Sequence, residues 1–211
     1  MKREILLFLF ANILFISGCL NNEGSSKQIT VDLNKIDADI SIYGTNTGSF
    51  FGESVVSGDI NSDGTPDLVI GASHANKEKG IYPIGSVYVI FGDRLQSNKK
   101  IDLGVEKADI EIKGKDPFVG ENVALGDINQ DGVDDIIITD AGSGSYGRGG
   151  DVYVLYSGGN IIGNNIINLA PETADITVRG PDTTSFFGDS LASGDVNGDG
   201  IDDIIIGVVN A

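Results

Sequence analysis

Nine residues, Asp59-Ile60-Asn61-Ser62-Asp63-Gly64-Thr65-Pro66-Asp67, set the pattern for two more stretches of this chain. These are Asp127-Ile128-Asn129-Gln130-Asp131-Gly132-Val133-Asp134-Asp135 and Asp195-Val196-Asn197-Gly198-Asp199-Gly200-Ile201-Asp202-Asp203, each 68 residues after the one before. Every copy carries an oxygen-bearing side chain at its first, third, fifth and ninth positions and glycine at its sixth, the ligand pattern of a calcium loop. A fixed interval of this length restricts the chain to folds that stack one small unit on itself.

Calcium takes about six to eight hard oxygen ligands. The first loop offers Asp59, Asn61, Asp63, the backbone carbonyl of Thr65, and Asp67. The second offers Asp127, Asn129, Asp131, the carbonyl of Val133, and Asp135; the third offers Asp195, Asn197, Asp199, the carbonyl of Ile201, and Asp203. Glycine at the sixth position permits the sharp turn that a Cβ would resist. At the twelfth position, where a helix-loop-helix site carries a bidentate glutamate, stand Ile70, Ile138 and Ile206, which excludes EF-hands. The ninth-position aspartate therefore has to close the shell. Any one Asp-Gly cluster is also an ordinary hairpin turn, but three copies with the same ligand types at the same offset argue for metal. The expectation is about three Ca²⁺ ions, bound weakly as in extracellular modules and bracing a turn between strands.

The 211 residues suit one ordinary domain, and 40% are hydrophobic, enough for a core. The net charge of −17 excludes a nucleic-acid partner, because phosphate binding needs clustered Lys and Arg. Nine of the carboxylates sit at the first, fifth and ninth positions of the three loops, and three divalent ions would return six positive charges. Part of the acidity is thus read as a metal requirement.

The repeat extends beyond the loops. Ala38–Gly44, Ala108–Gly114 and Ala174–Gly180 alternate apolar residues with period two, the mark of a strand. Their lead-ins, Val31-Asp32-Leu33, Ile101-Asp102-Leu103 and Ile167-Asn168-Leu169, recur too. After each loop comes an apolar run suited to a buried strand: Leu68–Ala72, Ile136–Thr139 and Ile204–Gly207. Ser86–Gly92 and Asp151–Tyr156 supply a further strand in the first two units. Four antiparallel strands per unit describe an all-β fold of β-propeller blades, with blade one over 31–100, blade two over 101–166 and a partial blade three over 167–211. An open third blade leaves a strand edge and an apolar face uncovered, which implies a longer design or self-association through open edges.

The first residues read differently. Lys2 and Arg3 precede an apolar run from Ile5 to Ile16, followed by Ile16-Ser17-Gly18-Cys19. Residues 1–18 are expected to be a secretory signal, too short to span a membrane as a helix. The last four residues resemble a bacterial lipobox, which makes Cys19 the expected lipidation site and the membrane a partner. Residues 19–30 are then a flexible tether. Leu20 in place of Asp favours the outer membrane or cell surface of a bacterial envelope. A buried N-terminal helix with an incidental cysteine is the plainer alternative.

Phe51-Gly52, the metal loop and the following Gly71-Ala72 resemble FG-GAP repeats, as in the N-terminal propeller of integrin α subunits. The resemblance runs from Val31 to the end. Val119 replaces the second repeat's Phe, Ser73 stands where Pro is frequent, and Thr139-Asp140-Ala141 and Gly207-Val208-Val209 replace Gly-Ala-Pro-like endings. The resemblance implies a seven-bladed propeller with calcium on one face and ligand recognition on the other.

Other features carry less. Gly142-Ser143-Gly144-Ser145-Tyr146-Gly147 has the spacing of a dinucleotide loop but no helix follows, so it is read as a loop. His74, the one histidine, is read as a loop residue, and Tyr88, Tyr153 and Tyr156 as packing residues. The expected function is a calcium-binding, lipid-anchored module for protein or glycan binding or adhesion, not an enzyme. Two alternatives stand beside it: an accessory propeller of a secreted hydrolase of the phospholipase D kind, with catalysis in a further C-terminal part, and a truncated, non-functional remnant.

Overall fold

The computed structural model describes residues 3–9, 12–18, 38–76, 83–95, 99–141, 149–158, 161–181 and 186–209. Cys19, the tether, Val31-Asp32-Leu33 and the glycine-rich stretch 142–147 lie outside them. The fold is all-β, and among the described residues the strands fall into four sheets.

The first blade runs β4 (Val55–Gly58), β5 (Asp67–Asn76), β6 (Ile84–Ile90) and β8 (Ile110–Lys113), all antiparallel neighbours. The second repeats this order with β9 (Val119–Gly126), β10 (Asp135–Asp140), β11 (Asp151–Leu155) and β13 (Ile176–Arg179). The third consists of β14 (Phe186–Gly194) and β15 (Asp203–Val209). The Asp-rich loops are the turns β4–β5, β9–β10 and β14–β15.

Sheet and sequence repeat are offset by one strand. The Ala-Asp-Ile segment that opens a repeat closes the preceding sheet: β8 pairs with β6, and β13 with β11. The two sheets as built span 55–113 and 119–179. The aspartate of that segment makes the join, since Asp109 accepts the Phe91 amide at 2.9 Å and Asp175 the Tyr156 amide at 2.8 Å. The lead-in segments are strands as well. β7 (Lys99–Asp102) runs parallel to β3 (Ile40–Tyr43), and β12 (Ile166–Asn168) runs parallel to β8.

Alternation along each strand buries both faces, which explains the unbroken apolar runs. From β5 and β6, Leu68, Ile70, Tyr88 and Ile90 pack toward β3, while Val69, Val87 and Val89 pack toward the second blade. From β10 and β11, Ile136, Ile138, Tyr153 and Leu155 face the first blade, and Ile137, Val152 and Val154 face the third. Each core thus lies between two successive sheets. On the third blade Ile204 and Ile206 turn inward, and Ile205, equivalent to buried Val69 and Ile137, is 44% exposed. The tyrosines read as packing residues include Tyr88 and Tyr153, both buried.

The apolar segment expected to be a leader is drawn as a hairpin. Its strands, β1 (Arg3–Leu9) and β2 (Asn12–Gly18), extend the sheet from the free edge of β3, with Phe15 opposite Ile40.

Candidate metal loops and the opposite face

The three loops share one backbone path. Their sixth residues, Gly64, Gly132 and Gly200, have φ of 81°, 84° and 85°. So do the fourth residues take left-handed values: Ser62 at 62°, Gln130 at 61° and Gly198 at 81°. The fourth position was invisible in the sequence because only the third copy places glycine there.

The side chains at positions one, three and five are brought together around this turn. Asp59 accepts the amides of Asp63 at 3.2 Å and Gly64 at 2.8 Å, Asn61 Oδ1 accepts the Asp63 amide at 2.9 Å, and Asp63 Oδ1 accepts the Thr65 amide at 2.7 Å. The second loop reproduces the pattern through Asp127, Asn129, Asp131 and the Val133 amide. The third does so through Asp195, Asn197, Asp199 and the Ile201 amide. The Thr65 amide holds Asp63 below the usual carboxylate range, with help from the Asn61 side chain. The Gly200 amide is the leading cause of the same effect at Asp195.

The ninth-position carboxylates are placed differently. Asp67 and Asp135 are fully buried. Asp67 Oδ2 takes the Ile60 amide at 3.1 Å and Oδ1 the Gly92 amide at 2.8 Å. Asp135 Oδ2 takes the Ile128 amide at 3.0 Å and Oδ1 the Ser157 amide at 2.9 Å. Asp203 Oδ2 takes the Val196 amide at 3.0 Å, but its Oδ1 takes the Asn197 side chain at 3.2 Å. Each of these aspartates is thus occupied in closing its own loop, a role the ligand pattern alone does not reveal. Among the described residues no three His, Cys, Asp or Glu side chains form a metal-holding group.

Hard oxygens are nonetheless the whole donor set, which suits Ca²⁺. Burial pushes the Asp67 carboxyl up, the Gly92 and Ile60 amides oppose this, and the charges of Asp63 and Asp59 add to the rise. Asp135 is raised by burial too, against its three amide donors, with Asp131 adding repulsion. A divalent cation between such carboxylates would relieve that repulsion.

At the far end of the inner strands lies a second repeated feature. Phe50, Phe118 and Phe186 are also 68 residues apart, each directly before the Phe51, Val119 or Phe187 of the repeat. The latter three are buried, whereas Phe50 is 48% and Phe186 36% exposed. Phe50 and Phe118 have φ of 54° and 75°, a conformation that costs an L-residue roughly 1–2 kcal/mol. Gly52, Gly120 and Gly188, two residues on, are left-handed as well, at 86°, 84° and 89°. An added Cβ at Gly120 would lie 2.9 Å from the Ser86 carbonyl oxygen, so the FG glycine is fixed by close approach of the neighbouring sheet.

Three acidic residues, Glu53, Glu121 and Asp189, keep the same interval on this end of the strands. Burial raises the Glu121 carboxyl, and the charges of Glu53 and Asp189 raise it further, so successive sheets bring the three within electrostatic reach. His74 lies in β5, not in a loop, with its ring edge-on to Phe50 at 4.7 Å and to Phe118 at 5.6 Å between centroids. Its neighbour Ser73 hydrogen-bonds Glu53 and sits 3.0 Å from His74 Nδ1. A cleft of about 530 Å³ opens at this end between the first two blades, lined by Lys115, Asp116, Asp140, Asp151, Tyr153 and Arg179 among others. These features escaped the sequence reading because a Phe beside an FG motif reads as core.

Residues 51–90 and 187–210 match the FG-GAP repeat. The chain is 35% identical to phosphatidylinositol-glycan-specific phospholipase D of Mus musculus over 156 residues, 72% of this chain and 17% of that protein. It is 31% identical to integrin alpha-5 of Xenopus laevis over 169 residues, 78% of this chain and 15% of the relative. Integrin alpha-IIb of Mus musculus is 29% identical over 177 residues, 81% of this chain and 16% of the relative. The chain spans less than a fifth of the length of these proteins. It carries FG-GAP repeats on sheets built as propeller blades, and it is similar in sequence to integrin α subunits and to phosphatidylinositol-glycan-specific phospholipase D.

Proposed function

We propose that this chain is a calcium-braced propeller module that binds a protein or glycan on the face opposite its metal loops. The observation that carries the reading is the row Phe50, Phe118 and Phe186, one aromatic per blade, in which Phe50 and Phe118 take a left-handed backbone and Phe50 and Phe186 are exposed. Phe50 keeps its strained backbone with about half of its surface in solvent, and strain of this kind concentrates at binding sites. The carboxylates beside the row and the mixed-charge cleft give the same face polar groups with which to select a partner. Asp59, Asn61, Asp63, Thr65, Asp67 and their counterparts would hold Ca²⁺ at the other end. Lipid on Cys19 would tether the module to a bacterial cell envelope, and the outward face at Ile205 and Val209 would take up a further copy or further blades.

The identity to phosphatidylinositol-glycan-specific phospholipase D favours a second reading, in which the same module serves as the accessory propeller of a hydrolase. Binding of the full chain to glycan and matrix-protein arrays, with Ca²⁺ and with chelator, tests the first. A ligand whose binding is lost in Phe50→Ala and Phe118→Ala supports it. Binding to no ligand, or binding that ignores both substitutions, would discard the assigned face.

A further inference from the structure

We propose that Asp134 and Asp202, the eighth residues of the second and third loops, are positioning residues that couple neighbouring calcium sites, so that an ion in one loop strengthens the site in the loop before it. This rests on the calcium reading above.

Neither aspartate belongs to the ligand pattern, and both reach backward by one blade. Asp202 Oδ2 accepts the amide of Asp127 at 3.0 Å, and the Asp202 amide makes a longer return contact of 3.4 Å to the Asp127 carbonyl. One repeat earlier, the Asp134 carboxylate packs against the backbone at Gly58, and the Asp134 amide lies 3.4 Å from the Asp59 carbonyl. Asp59 and Asp127 are the first ligands of their loops. Each eighth residue is flanked by the carbonyl ligand and the closing carboxylate of its own loop, Val133 and Asp135 or Ile201 and Asp203. Ordering one loop around an ion therefore fixes, through a single residue, the backbone that carries the first ligand of the previous loop.

The glycine before each loop completes the device. A Cβ at Gly58 would lie 2.2 Å from Asp134 Oδ2, and one at Gly126 would lie 2.9 Å from Asp202 Oδ2. A Cβ at Gly194, the glycine before the third loop, meets nothing within 4 Å. The first loop has Pro66 at the eighth position, so the chain of contacts runs from the third loop to the first and ends there.

The experiment is a thermodynamic cycle on the full chain. The third loop is silenced by Asp195→Asn with Asp199→Asn, and Ca²⁺ binding to the remaining loops is followed by calorimetry with parallel ion counting. With Asp202 intact, silencing is expected to weaken the remaining sites about five-fold or more. With Asp202→Ala, silencing is expected to change them little. Gly126→Ala, which displaces the latch without touching a charge or a ligand, should act like Asp202→Ala and covers the case in which the aspartate variant does not fold. Equal weakening with and without the latch, while Ca²⁺ still binds, overturns the coupling and leaves the calcium reading standing. An intact chain that binds no Ca²⁺ overturns both.

Discussion

The Asp67 carboxylate accepts the backbone amide of Gly92 at 2.8 Å and so ties the end of the first metal loop to the exit of β6, two elements 25 residues apart. Asp135 and Ser157 repeat the tie at 2.9 Å in the second blade. In the third, the corresponding Asp203 oxygen turns instead to Asn197 within its own loop. The same residue type at the same motif position is a buried keystone in two blades and a partly buried turn residue in the other. Replacing Asp67 or Asp135 by Ala strands two or three amides and should cost roughly 2–4 kcal/mol. Asp203→Ala should cost roughly 1 kcal/mol or less. Urea unfolding of the three variants in chelator measures the difference; equal losses would mean that the tie contributes nothing.

The raised carboxyls set a pH dependence. Burial lifts Asp67, Glu121, Asp134 and Asp135 above the ordinary range in the folded chain. A raised folded pKa contributes stability that is present below the unfolded pKa and lost as pH rises through the folded one. The metal-free chain should therefore become less stable as pH climbs from the unperturbed aspartate value of 3.8 through the raised values of these groups. Added Ca²⁺ should flatten that slope at its upper end. Melting temperature against pH, with and without chelator, reads both effects.

Calcium removal has a sign of its own. With the loops filled, the repulsion that Asp63 and Asp59 exert on Asp67 is screened, and ligand bound only to the folded state stabilises by mass action. At Ca²⁺ about 100 times its dissociation constant the gain is about 2.7 kcal/mol per independent site. An unchanged melting temperature in EDTA would remove the bracing role.

Glycine at the fourth loop position should help. Ser62 and Gln130 sit at φ of 62° and 61°, where Gly198 sits in the third loop. Relief of the left-handed strain, offset by the greater freedom of unfolded glycine, leaves a gain of roughly 0.5–1 kcal/mol for Gln130→Gly. Thermal melts of Ser62→Gly and Gln130→Gly test this without disturbing any ligand.

Adjacent phenylalanines should part company. Phe51 is buried against Tyr88, with ring centroids 5.7 Å apart, and Phe51→Ala should cost roughly 3–5 kcal/mol. Phe50→Ala removes a half-exposed ring and should stay within about 0.5 kcal/mol. A large loss at Phe50 would make it a core residue and weaken the case for a binding face.

The sequence by itself determined the all-β class, the strands that open each repeat and follow each loop, and the turn positions of the Asp-rich loops, because these depend on local chemistry: period-two alternation, glycine where the turn is sharp, and carboxylates in close succession. Tertiary structure decided what local chemistry does not encode. Ala108–Gly114 is a strand on its own evidence, yet whether it opens one sheet or closes the last depends on a partner edge, here that of β6. Asp134 and Asp135 are neighbours of one type, and only the approach of a second blade separates a latch on Asp59 from a buried clasp on Ser157. Phe50 and Phe51 differ in the same way, since burial is a property of what packs against a side chain and not of the side chain itself.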